Sequence, residues 1–193
     1  MLVYISIIVC MAIISAVNII FPAINGGLAW WQVILAVVGF TAGVIFVDGL
    51  VALFVRRVLP QRLFGRGSKL VRIHKFEKKF YTAVGIKKWK DRVPELGGFT
   101  NFHKDKIYSP KDNAYLDRYI TEANSGAFGH LLGMISGFAI VAVVPSVFLW
   151  ISLPVAVVNF FLSALPMMIL RFNIPKLEAL YKMNERREKK ADA

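Results

Sequence analysis

LAWWQVILAVVGFTAGVIFVDGLVALFVRR, residues 28–57, decides how the rest of the chain is read. Only Gln32 and Asp48 interrupt its apolar run before it stops at Arg56-Arg57. The run is longer than the ~20 residues a helix needs to cross a bilayer core. Trp30 and Trp31 at its start suit the aromatic belt of a membrane interface. Outward from this stretch, all 24 Lys and Arg fall within Arg56–Glu122 or Arg171–Ala193, and elsewhere Asp48 is the lone charge. A soluble domain has no reason to sort its charges this way. A membrane protein does, because an ionised group at mid-bilayer is expensive and Lys/Arg-rich loops stay cytoplasmic. A hydrophobic content of 56% and a mean hydropathy of +0.56 agree.

The expected fold is an all-α integral membrane protein with about four transmembrane helices and a basic cytoplasmic module. Leu2–Phe21 is a first apolar run, followed by the breakers Pro22-Ala-Ile-Asn-Gly-Gly27. The N-terminus lacks the positive segment of a cleaved signal peptide, so the run reads as a retained span. A third span is expected from near Ala127 to about Val144, a turn at Pro145-Ser146, and a fourth span over Val147–Leu170, bent at Pro154 and Pro166. The chain then divides into a membrane hairpin (1–55), a basic interfacial module (56–125), a second hairpin (126–170) and a basic tail (171–193). Four crossings put both termini and the central module on the cytoplasmic side of a cell membrane. Within the module, Leu70, Ile73, Phe76, Phe80 and Val84 recur at mostly helical spacing among Arg72, Lys75, Lys78 and Lys79. That pattern over Lys69–Val84 predicts an amphipathic helix in the headgroup plane. Gly97-Gly98 and Tyr108-Ser-Pro110 punctuate a loop, and Asn113–Ala123 predicts a short helix. Gly39-x-x-x-Gly43 and Gly129-x-x-x-Gly133-x-x-x-Gly137 set glycines on helix faces, so these helices should touch, or one should mediate a homodimer.

The formal charge of +12 fits attraction to anionic lipid headgroups better than nucleic acid, because the basic segments are pinned beside spans. Cys10 stands alone in an apolar run, which leaves no disulfide framework and no thiol metal site. No motif calls for a metal or a cofactor, and GxSxG, Walker, HExxH and CxxC signatures are absent from the sequence. The remaining polar groups are expected at one membrane depth. His130 lies at the cytoplasmic end of the third span, with Arg171 and Asn173 just past the fourth. Glu122 precedes His130 by eight residues, about 12 Å of helical rise, so contact between them requires a break at Asn124-Ser125-Gly126. Each has a plainer reading: Arg171 as a stop-transfer anchor, Asn173-x-Pro175 as a helix exit, Glu77 as charge balance, Asp105 and Asp112 as solvated loop charges. Asp48, inside a span, reads as functional or partner-bound.

Phe76-Glu77-Lys-Lys-Phe80-Tyr81, then Ile86-Lys87-Lys88-Trp89-Lys90-Asp91-Arg92-Val93-Pro94 and Gly97-Gly98-Phe99, resemble the centre of the glycosyl-diaponeurosporenoate acyltransferase family. The resemblance continues through Tyr115-Leu116-Asp-Arg-Tyr-Ile-Thr-Glu122 to His130 and ends at Arg171-Phe172-Asn173-Ile174-Pro175-Lys176-Leu177. It implies a small membrane enzyme that esterifies a carotenoid glucoside with a fatty acid, as in staphyloxanthin synthesis. The implied partners are membrane lipids, an acyl donor and an amphiphilic hydroxyl acceptor. On this implication His130 is the general base, Arg171 with Asn173 holds the oxyanion or a phosphate-bearing donor, and Lys88 and Lys90 bind phosphates. Trp89 anchors at the interface, while Glu77 and Glu122 orient the histidine or bind a sugar hydroxyl. The chain departs from the family pattern at Ser125, Ala127, Leu170 and Ile174, where the family tends to place polar residues. The alternative is a non-catalytic scaffold or lipid-binding accessory of the same fold.

Overall fold

A computed structural model describes residues 27–93 and 107–191, together with Val9, Ile13, Ala16, Val17 and Phe21. Those five positions are helical, but the rest of the Leu2–Phe21 run, Cys10, the breakers before Gly27 and Gly97-Gly98 lie outside the described residues. All regular structure among the described residues is helical: α1 (Trp30–Arg57), α2 (Lys75–Ala83), α3 (Ile86–Trp89), α4 (Asn113–Val143) and α5 (Leu149–Ala191). Of these, α1, α4 and α5 with its leading turn are long and apolar enough to cross a membrane. At 28 residues α1 is about 42 Å long, enough to pass a hydrocarbon core of ~30 Å. Three such helices are therefore seen where about four were expected, and the remaining run is the undescribed one.

Two compact units divide the chain: Met1–Leu53 with Gly129–Leu165, and Phe54–Phe128 with Pro166–Ala193. The first is inside-out by the standards of a soluble protein. Ile34, Leu35, Val38, Ile45, Phe46 and Ile135 are exposed, whereas Ser152, Asn159 and Ser163 are buried. Apolar exteriors and polar groups turned inward are what a hydrocarbon solvent selects. Asp48 on α1 accepts hydrogen bonds from Ser136 Oγ on α4 (3.3 Å) and Asn159 Nδ2 on α5 (3.4 Å). Asn159 Nδ2 also donates to the carbonyl of Gly133 at 3.1 Å. The glycine register has a physical reason here. A Cβ on Gly133 would lie 3.2 Å from Asp48 Oδ1, and one on Gly137 would lie 2.9 Å from Asn159 Nδ2. The expected contact of α1 with α4 is thus made at Gly133 and at Gly43, whose Cβ would meet Ile140 at 3.6 Å.

In the second unit the first sixteen residues of α4, Asn113–Phe128, pack on Pro166–Ala191 of α5. Leu116, Tyr119 and Ile120 of α4 bury against Leu177, with Leu180 and Tyr181 alongside. Ala123 and Ala127 meet Leu170 and Ile174 in a second cluster. Asp112 caps α4: its Oδ1 accepts the N–H groups of Ala114 (2.9 Å) and Tyr115 (3.1 Å), so this exposed loop charge is also a structural cap. Asn184 Nδ2 ties the far part of α5 back to the Pro110 carbonyl at 2.8 Å.

Two helix boundaries differ from the sequence expectation. There is no break at Asn124-Ser125-Gly126; the short helix and the third span are one helix, and Asn124 Nδ2 donates to the Phe64 carbonyl at 2.9 Å while its neighbours pack. The condition for direct contact between Glu122 and His130 is therefore not met. Nor does the chain leave its helix at Asn173-x-Pro175. Proline removes one intrahelical bond, yet the packing of Leu177, Leu180 and Tyr181 on α4 carries α5 on to Ala191. The amphipathic helix begins at Lys75, not Lys69, which leaves Leu70 and Ile73 in the preceding loop. Phe76, Phe80 and Val84 are exposed on it, and Tyr81 is the residue it buries.

Candidate functional site

Helix α2 places Glu77 at its third position, where Glu77 Oε1 accepts the His74 backbone N–H at 3.1 Å and closes the helix start. The same carboxylate meets Arg171 of α5 in a two-pronged pair: Nε to Oε2 at 2.5 Å and Nη2 to Oε1 at 2.7 Å. Tyr81, one turn beyond Glu77, donates its hydroxyl to Oε2 at 3.0 Å. Arg171 Nη2 also donates to the Arg72 carbonyl at 3.2 Å. The two side chains are only 19% and 17% exposed. A guanidinium fork that matches a carboxylate edge-on is the strong, directional form of ion pair.

The electrostatics follow from that geometry. Burial pushes the Glu77 carboxyl up, but hydrogen bonds from Arg171, His74 and Tyr81 and the Arg171 charge outweigh it and hold the carboxyl below its usual range. Burial, then the adjacent Glu77 charge, pushes the Tyr81 phenol up to about 12. Glu77 is therefore a poor proton acceptor near neutral pH and a good holder of Arg171.

Of the sequence-predicted residues, Glu77 and Arg171 come together although they are 94 positions apart. Tyr81 was missed, and its i+4 spacing from Glu77 is the signal that would have found it. Trp89 Nε1 donates to the Val84 carbonyl at 3.0 Å, and Lys90 pairs with its neighbour Asp91. Lys88 is exposed. On α5, burial first and then the charges of Lys90 and Lys87 push the Lys176 ammonium below its usual range. Asn173 and Glu122 are half-buried on α5 and α4. His130 belongs to the first unit, with Asp48, and is half-buried on α4. The departures from the family pattern are packed positions: Ser125 is buried, and Ala127, Leu170 and Ile174 form the apolar cluster with Ala123. Among the described residues no group of His, Cys, Asp and Glu could hold a metal ion.

The sequence profile of the glycosyl-4,4'-diaponeurosporenoate acyltransferase family matches residues 60–183, well over half of the chain. The chain belongs to that family, and its three spanning-length helices make it a membrane member. The matched segment contains α2, α3 and α4 entire, together with the Glu77–Arg171–Tyr81 site. No curated protein and no solved structure matches the chain.

Proposed function

We propose that the protein transfers an acyl group to a hydroxyl of an amphiphilic, lipid-linked acceptor where the cytoplasmic leaflet meets water. Membership of an acyltransferase family over residues 60–183 is the observation that carries this reading. In the reaction the acceptor oxygen attacks the acyl carbonyl, the new ester C–O bond forms, and the bond to the donor's leaving group breaks. His130 takes the hydroxyl proton and returns it to the leaving group, a role worth about 10²–10⁴-fold. Arg171, held in place by Glu77, directs its guanidinium to the developing oxyanion or to a donor phosphate, and Asn173 assists. Lys88 and Lys90 draw anionic headgroups, Trp89 anchors the segment at the interface, and Glu122 binds an acceptor hydroxyl. A glycosylated carotenoid is the acceptor that the family's description suggests. The basic segments lie on the cytoplasmic side, and Gly39, which meets nothing within 4 Å among the described residues, is the face for a homodimer.

The apolar cluster of Ala127, Leu170 and Ile174 favours a second reading, a lipid-binding scaffold that keeps the family fold without its chemistry. Mass spectrometry of total lipid extracts from cells with and without the gene separates the two. The first reading predicts ester-linked products that disappear in His130→Gln at equal membrane abundance. Unchanged lipids with the wild-type protein present would leave the scaffold.

A further inference from the structure

Outside the Glu77–Arg171 pair, the second unit holds a cavity of about 540 Å³ between the loop 65–73, helix α2, and the facing parts of α4 and α5. Arg66, Lys69, Arg72, Lys78 and Lys182 line it, against one carboxylate, Glu178. Arg66 is engaged elsewhere, near Asp117 (3.7 Å) and Glu185 (3.8 Å) and stacked 3.6 Å over the Tyr181 ring. The other four cations gather from three separate parts of the chain into one concavity. All four are exposed, and together they make the concavity an electropositive surface that draws anions. The volume falls within the range of small-molecule sites, roughly 300–1,000 Å³.

The loop that carries Lys69 and Arg72 is fixed at both ends. Asn124 Nδ2 holds the Phe64 carbonyl before it, and Arg171 Nη2 holds the Arg72 carbonyl near its end. Gly67, with φ of 84°, makes the turn between them. Asn124 supplies an independent observation. It lines the cavity, it is 3% exposed, and its Oδ1 is buried without a hydrogen-bond partner among the described residues. Such an acceptor normally finds a donor, and its lack of one here marks a place for a ligand hydroxyl, an amide or a bridging water.

We propose that this cavity binds a phosphate ester or phosphoanhydride, held by Lys69, Arg72, Lys78 and Lys182, with a donor group beside the phosphate directed toward Asn124. The site is distinct from Lys88 and Lys90. It stands whether or not the protein transfers acyl groups, although a phosphate-bearing acyl donor would give it a purpose in that reaction. Two sources share the chemistry, a soluble phosphorylated molecule and a phospholipid headgroup.

The test uses the full chain, purified in neutral detergent or in nanodiscs, and reads binding rather than turnover. Titration calorimetry with inorganic pyrophosphate tests the soluble source; protection of the protein against heat in phosphatidic-acid nanodiscs, compared with phosphatidylcholine ones, tests the lipid source. Lys69→Gln/Lys182→Gln should weaken whichever response occurs by ~10-fold or more, because each change removes a charge-assisted contact. Lys189→Gln/Lys190→Gln, at the exposed end of the same helix, should change it less than twofold. Helical circular dichroism of each variant confirms folding. A specific pyrophosphate response supports the soluble source, and a response confined to phosphatidic acid supports the headgroup. No response to either probe, or equal weakening by both variant pairs, overturns the site. Cellular lipids that are the same with and without the gene, with binding intact, would instead count against acyl transfer alone.

Discussion

Arg171 and Glu77 show why the value of a charged residue depends on its partner. At the end of a span an arginine serves well as an anchor, and among lysines a glutamate serves as charge balance. Paired at 2.5 and 2.7 Å and mostly buried, they become a unit whose parts cannot be removed singly without leaving a charge stranded. Arg171→Met should therefore destabilise the second unit by about 3 kcal/mol, at the low end for buried pairs because each side chain keeps some exposure. Denaturant unfolding in detergent micelles reads this directly. The Glu77 carboxyl titrates below its unfolded value, near about 4.3, so the stability it contributes is complete above that pH and fades as pH falls through the lower folded value. The acid limb of the unfolding curve should shrink in Glu77→Gln, and an unchanged limb would show that the pair does not carry it. Tyr81 was not legible as a site residue, because its hydroxyl matters only through a carboxylate whose own partner lies 94 positions away.

At the scale of the element, glycines in register say that helices pack closely but not which glycine is needed. Gly137→Ala would press a methyl to 2.9 Å from Asn159 Nδ2 and should cost about 1–3 kcal/mol through forced displacement of that side chain. Gly129→Ala, on the same helix, meets nothing within 4 Å among the described residues and should be neutral or slightly stabilising, since alanine is the better helix former. Parallel thermal scans of the two variants decide, and equal effects would mean that the packing assigned to Gly137 is wrong. Spans were readable because hydropathy needs no tertiary partner. The extents of α4 and α5 were not. Asn124-Ser125-Gly126 and Asn173-x-Pro175 carry breaker composition, but Asn124 is tied to the Phe64 carbonyl and Leu177 is seated against Leu116, Tyr119 and Ile120. Tertiary packing overrode local preference at both places. Leu177→Ala should then cost about 2–4 kcal/mol and loosen α5 beyond Pro175, visible as lost helical signal and faster amide exchange there.

For the whole molecule, charge sorting states the solvent more plainly than any motif. Apolar side chains face outward from the first unit while Ser136 and Asn159 both donate to Asp48, and the cations lie outside the spans expected from hydropathy. The family was legible from the Lys-Trp-Lys-Asp run and the Arg-x-Asn-x-Pro-x-Leu segment; the role of the departures was not, because burial at Ala127, Leu170 and Ile174 follows only from the pairing of α4 with α5. Every functional assignment depends on the basic segments sharing the cytoplasmic face. Cysteine labelling with a membrane-impermeant maleimide tests that placement in a Cys10→Ser background. Lys88→Cys and Lys189→Cys should react only after the cytoplasmic side is opened, and Val147→Cys, in the turn between α4 and α5, should react in intact cells. Labelling of position 88 or 189 from outside, or of position 147 solely from within, would contradict the account.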